Sequence, residues 1–245
     1  MKLAIMQPYL LPYIGYFQLI GAVDRFVVYD NIKYTKKGWI NRNRMLVNGE
    51  ASAFTVSLRH DSDSLDICDR RVAADFDRVR LLNQVRGAYR KAPHFDKTYA
   101  LLELVFGFES DNLFDFLHHG LTWTCRHLSI ATPIVASSQV PVDHRQRGER
   151  RVIAICLGLG ATNYINPNGG IELYSAPAFA EHGISLSFLR SRPLQYAQFG
   201  RPFVPSLSIL DVMMFNPVAT IRQWLATHFD LVTAPSVGVR HEACA

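Results

Sequence analysis

Three short segments near the start of the chain decide its fold class. Leu3–Met6 is a continuous apolar run cut off by Gln7-Pro8, the pattern of a strand buried on both faces. Tyr13–Ile20 is apolar on several sides and stops at Gly21, a helix terminator. Arg25–Asp30 is β-branched and aromatic, a second strand. Strand, helix and strand within the first 30 residues make a βαβ unit, which commits the chain to a parallel sheet and an α/β fold.

The rest of the chain extends that pattern. Ala53–Leu58 reads as a third strand, and Asp75–Tyr89, Thr98–Leu104 and Leu113–Leu128 as helices, with Pro93 breaking the chain between the first two. Pro133–Ala136, Tyr164–Asn166 and Ile184–Leu189 read as strands, and Gly148–Leu159, Ser208–Met214 and Val218–Thr227 as helices. The expected architecture is a parallel-sheet Rossmann-like core with helical additions. It forms a single α/β domain over 1–230, with 75–130 a largely helical insertion and 231–245 a flexible tail.

With 245 residues, 49% of them hydrophobic, the chain can bury a large core, and with 19% charged residues it is not, as a whole, of disordered composition. A net charge of +5 suits an anionic ligand without demanding nucleic acid. Cys68, Cys125, Cys156 and Cys244 form no C-x-x-C pair and read as free thiols of a reducing compartment. The apolar start ends at Gln7-Pro8, and no stretch reaches the roughly 18 apolar residues of a membrane span. The expected location is cytoplasmic.

Ligands of open parallel sheets bind at the carboxyl ends of the strands, so the loops after the first two strands draw attention. The first runs Gln7-Pro8-Tyr9-Leu10-Leu11-Pro12-Tyr13-Ile14-Gly15-Tyr16. Its prolines stiffen the turn, Gly15 permits close backbone approach, and Tyr9, Tyr13 and Tyr16 offer stacking surfaces with hydroxyls. A loop built only for packing would carry the same tyrosines. The second runs from Asn31 to Arg44 with five positive charges and no acid, interleaved with Tyr34 and Trp39. Arg42 and Arg44, two apart, point the same way in an extended segment and can clamp one anion by bidentate bonds. Lys33 and Lys36 join them as binding candidates, with Asn41 and Asn43 between and beside the arginines.

Further candidates are Arg150 at the start of the Gly148 helix, Asn168 in the tight turn Asn166-Pro167-Asn168-Gly169-Gly170, and Gln198. His118, His119 and His127 share one predicted helix without metal-ligand spacing, so no metal site is expected. No nucleophile elbow, Walker loop or triad appears, which leaves Ser137, Ser138 and the cysteines without support as nucleophiles.

Met6–Gln18 together with Gly38–Arg44 closely resembles the opening of the WbqC-like protein family. The likeness continues through Ala88–Phe95, Glu149-Arg150, Tyr196–Gln198 and Leu207–Asp211, nearly the whole chain. The resemblance implies a transferase that moves an acyl or aminoacyl group, such as glycyl, onto an amine of a nucleotide-linked amino sugar in O-antigen biosynthesis. Such a reaction implies a small anionic substrate, an acyl carrier or aminoacyl-tRNA as donor, and ATP or an activated acyl donor as the cofactor to consider. A base would strip the attacking nitrogen, and Asp30, Glu149 and Asp211 are the carboxylates available for that role.

A second likeness points elsewhere. A strand, a turn and Pro12-Tyr13-Ile14-Gly15-Tyr16 opening a helix is similar to the His-x-Gly-His placement in nucleotidyltransferases and pantothenate synthetase, which implies a HUP-like core. Tyr13 and Tyr16 stand where the histidines would, and a phenol with pKa about 10 supplies no imidazolium-like charge at neutral pH. A nucleotide-dependent ligase or nucleotidyltransferase, and a non-catalytic binding protein for a phosphorylated ligand or carrier, are therefore the alternatives.

Overall fold

The computed structural model describes residues 1–200 and 202–233. Lys2–Met6 (β1), Ile14–Gly21 (α1) and Arg25–Val28 (β2) form the expected βαβ unit, with β1 and β2 paired in parallel from Leu3 opposite Arg25 to Met6 opposite Val28. A large excursion follows. Arg42–Val47 (β3) and Glu50–Thr55 (β4) pair antiparallel as a separate hairpin, and Arg78–Tyr89 (α2), Phe95–Phe106 (α3) and Leu113–His127 (α4) pack as helices. The chain returns through Ile134–Ala136 (β5), beside β2 and parallel to it.

Gly148–Gly158 (α5) then crosses over to Asn163–Pro167 (β6) on the far side of β1. Ala176–Ala180 (α6) and Ser185–Ser191 (β7) extend the parallel sheet, and Ile209–Phe215 (α7), Val218–Thr227 (α8) and Phe229–Thr233 (β8) complete it, β8 pairing antiparallel with β7. The six-stranded order is β5-β2-β1-β6-β7-β8. The sheet grows in one direction from β1 to β2 and in the other from β1 to β6, so the topological switch point lies between β1 and β6.

Period-two alternation splits the core. Ala4, Phe26, Val28, Ile165 and Leu189 face one cluster that includes α1, the hairpin, α2–α4, α7 and α8. Leu3, Ile5, Val27, Tyr164, Leu186 and Phe188 face a second cluster with α5 and α6. Both faces are covered, which is why these strands read as continuous apolar runs.

The expected strand Ala53–Leu58 is displaced to Glu50–Thr55 and lies outside the main sheet. Its partner β3 turns at Asn48-Gly49, both with positive φ (52° and 83°), the conformation of a two-residue hairpin turn. Residues 231–233 of the expected tail belong to β8, and 234–245 lie outside the described residues. No helix among the described residues is long and apolar enough to cross a membrane.

Candidate functional site

The loop after β1 leaves the switch point and is tied down by backbone acceptors. Leu11, in left-handed conformation at φ 41°, offers its carbonyl to Asn43 Nδ2 at 2.9 Å and Ser208 Oγ at 2.6 Å. Asn43 Nδ2 also donates to Leu10 O at 2.9 Å, and Leu10 N donates to Trp39 O at 3.2 Å. Tyr13 sits at the N-cap of α1 with no side-chain cap and is 45% exposed. Helix α1 presses close against β7: a Cβ on Gly15 would collide with the Tyr13 ring and Ser191 Oγ, so a larger residue requires those side chains to move.

The second segment brings its cations over one ring. The guanidinium carbons of Arg42 and Arg44 lie 5.9 and 5.3 Å from the Trp39 ring centroid, within cation–π range of a ring 41% exposed. Arg42 is spent on the loop itself, donating from Nε to Gly38 O at 3.0 Å and from Nη2 to Lys37 O at 2.6 Å. Arg44 is held only by Nη2 to Ser206 O at 3.2 Å, its buried Nε has no partner, and it makes no ion pair among the described residues.

Residues 189–196 and 203–207 contribute the third wall. Tyr9, Pro12, Tyr13, Trp39, Asn43, Arg44 and Ser206 enclose a cavity of about 260 Å³. A larger groove of about 680 Å³ opens beyond it at the carboxyl ends of β6 and β7, where Asn168, Arg190, Ser191, Arg192 and Gln195 face Tyr13 and Tyr196. Tyr13 and Ser206 line both spaces, making one continuous site over the switch point. Arg190 and Arg192 are partly neutralised by Asp230 of β8, at 3.5 and 2.6 Å.

Of the expected binding residues, Tyr9, Tyr13, Trp39, Asn43 and Arg44 line the smaller cavity, and Tyr13 and Asn168 line the groove. The others stand apart from these two spaces. Tyr16 is buried and donates its hydroxyl to Gln7 O at 2.8 Å, a bond that shapes the loop. Asn41 accepts from Tyr34 Oη at 2.7 Å and donates to Val56 O at 2.8 Å, tying β3 to the chain after β4. Lys33 is exposed, and Lys36 pairs with Asp63 at 2.7 Å, so the acid absent from the local sequence arrives from a neighbouring loop. Arg150 is exposed on α5, and Gln198 braces Val204.

The three expected carboxylates are engaged with the scaffold, each in a different place. Asp30, 2% exposed, accepts from Ser137 Oγ at 2.7 Å, Ser138 N at 2.9 Å and Ser138 Oγ at 2.6 Å, locking the end of β2 to the turn after β5. Asp211 accepts from Tyr89, Tyr196 and Gln198. Glu149 accepts from Ser175 N. Ser138 Oγ is committed to Asp30 and Ser137 Oγ is shared between Asp30 and Asn31 Oδ1, and burial pushes the thiol pKa of Cys68 to about 11 and those of Cys125 and Cys156 to about 12. His119 stacks on Phe108 at 4.0 Å.

The sequence comparisons agree with the likeness carried by these segments. The model of the WbqC-like protein family matches residues 7–223, spanning all three walls of the site. Uncharacterized protein Rv1507c of Mycobacterium tuberculosis (strain ATCC 25618 / H37Rv) is 26% identical over 231 residues, which cover 91% of this chain and 97% of that protein. No solved structure matches the chain significantly.

Proposed function

The chain belongs to the WbqC-like protein family, and from that premise we propose that it is a transferase. It moves an acyl or aminoacyl group, such as glycyl, onto the amine of a nucleotide-linked amino sugar bound across the switch-point groove. The observation that carries this reading is Arg44, a half-buried cation without an ion-pair partner among the described residues, set between Trp39, Tyr13 and the groove mouth. A diphosphate suits the guanidinium, a planar base suits the exposed Trp39 face, and the 680 Å³ groove leaves room for the sugar.

The chemistry follows from what the walls hold. No carboxylate of the described residues lines either space, whereas amides, hydroxyls and cations do. Such a site orients the acceptor amine and offers donors to the oxyanion that forms when the amine attacks an activated carbonyl. The amine's proton passes to solvent or with the departing group of the donor. ATP-dependent adenylyl transfer fits less well, because Tyr13 faces the site while Tyr16 is buried against Gln7 O. The absence of a carboxylate from the walls favours one second reading, a non-catalytic binding protein for a phosphorylated ligand or carrier.

A thermal-shift and calorimetry screen with nucleotides, nucleotide-linked amino sugars and acyl donors tests the proposal. Saturation at a hundred times Kd stabilises by about 2.7 kcal/mol, well within detection. Binding of a nucleotide-linked amino sugar followed by acylation of its amine, read by mass spectrometry, supports it. Stabilisation by ATP alone replaces it with the ligase reading.

A further inference from the structure

One wall of the larger groove is hydrogen-bonded to a buried carboxyl group. Asp211, fully buried on α7, accepts at Oδ1 from Tyr196 Oη at 2.7 Å and Gln198 Nε2 at 2.8 Å, and at Oδ2 from Tyr89 Oη at 2.8 Å. Tyr196 is part of the groove wall. Gln198 brackets the same wall, donating to Val204 O at 3.2 Å and accepting from Val204 N at 2.9 Å. Tyr89 comes from α2 and its hydroxyl accepts from Leu46 N of β3 at 2.6 Å. The start of α7 holds the other two walls: Ser208 N donates to Arg44 O at 3.0 Å, Ser208 Oγ to Leu11 O, and Ile209 N to Pro12 O at 2.9 Å.

We propose that Asp211 is a positioning residue for this groove, its carboxylate fastening Tyr196, Gln198 and, through Gln198, Val204 to the helix that already holds the loop after β1 and strand β3. This rests on the reading of the groove as the ligand site. The residue type follows from hydrogen-bond bookkeeping. Tyr89 Oη is already an acceptor for Leu46 N, so its proton is committed toward Asp211. Gln198 Oε1 is committed to Val204 N, so its amide NH₂ must face Asp211. Three donors thus converge on two oxygens, and asparagine in either orientation would set its own NH₂ against one of them. Burial raises the Asp211 carboxyl above the ordinary carboxylate range, partly offset by the bonds from Tyr196, Gln198 and Tyr89, and it also raises both tyrosines, which keep their protons.

The test compares wild type with Asp211→Asn, following amide exchange at Val204 against Ile5 in the sheet and the Kd for uridine diphosphate by calorimetry. The expected result is exchange at Val204 at least about tenfold faster, Ile5 unchanged, and Kd raised about tenfold, the size of one hydrogen-bond defect. Unchanged exchange at Val204 overturns the fastening role. Faster exchange with unaltered Kd overturns its bearing on the groove. If Asp211→Asn fails to fold, Tyr196→Phe removes one donor from the wall alone and is expected to move both readouts the same way by a smaller factor; no movement overturns the proposal. Failure of wild type to bind any nucleotide refutes the reading of the site instead, and exchange at Val204 then decides the fastening role by itself.

Discussion

Replacing Arg44 by alanine separates a binding cation from a merely exposed one. A charge-assisted, partly desolvated contact to a phosphate is lost at a cost of about 2–3 kcal/mol, which is roughly a 30- to 150-fold rise in Kd. The structural cost is smaller, because Arg44 contributes one exposed bond to Ser206 O and a stack on a ring that remains 41% exposed. Those two losses sum to about 1–2 kcal/mol, so the melting temperature should fall by only a few degrees. Arg44→Lys keeps the charge but loses the fork and most of the stack, and should fall between wild type and alanine. Calorimetry with uridine diphosphate at two salt concentrations is the assay, and the wild-type advantage should shrink as salt rises. A Kd within twofold of wild type for Arg44→Ala, with the fold intact, refutes the reasoning. Arg42→Ala is the control, since its donors are spent on Gly38 O and Lys37 O and it lines neither space.

Asp30→Asn should lower stability by about 1–3 kcal/mol while leaving nucleotide affinity intact, because its donors are Ser137 and Ser138; a stable variant with turnover down by about 10²–10⁴ would restore it as the base. Gly49→Ala forces a side chain into φ 83° and should cost about 1–2 kcal/mol in urea melts, without touching binding; an unchanged melt would contradict the Asn48-Gly49 turn. The raised Asp211 carboxyl has a defined pH signature. Its contribution to stability is fully present below the unfolded value of about 3.9 and is lost as pH rises through the higher folded value. Asp211→Asn lacks that loss, so the stability of wild type relative to the variant should decline as pH rises from the ordinary carboxylate range; a relative stability that grows with pH would contradict the burial of this group.

The βαβ start was legible because every contact that makes it is local: three apolar runs, one glycine stop, and a right-handed crossover that physics leaves little choice about. The helices were legible in kind but not in extent. Phe95–Phe106 begins three residues before the expected Thr98, because the chain resumes a helix directly after the Pro93-His94 turn. The hairpin does carry a local signal, Asn48-Gly49 between two extended runs, a favoured two-residue turn. Strand β8 had a weaker one. Phe229–Thr233 is five residues long and gains its place only by pairing with β7, where Asp230 meets Arg190 and Arg192.

The site divides along a line that residue type alone does not draw. Asn41, just before β3, and Asn43 within it alternate with Arg42 and Arg44, so the sequence offers four polar side chains of equal prominence. The short amides stay close to the backbone, where their donors and acceptors match peptide groups, and the fold spends them on Val56, Leu10 and Leu11. The long guanidiniums reach past the strand to Trp39, where Arg42 turns back onto Gly38 O and Lys37 O and Arg44 keeps donors open to water or an anion. The same distinction sorts the carboxylates. Asp30 and Asp211 are short acids buried where several donors converge, and each joins segments distant in sequence, β2 to the turn after β5 and α7 to α2 and the groove wall. An acid-poor basic loop therefore marks the cavity with Arg44 and Trp39, while Asp30 and Asp211, the acids whose positions suggest proton transfer, are spent on joining distant parts of the scaffold.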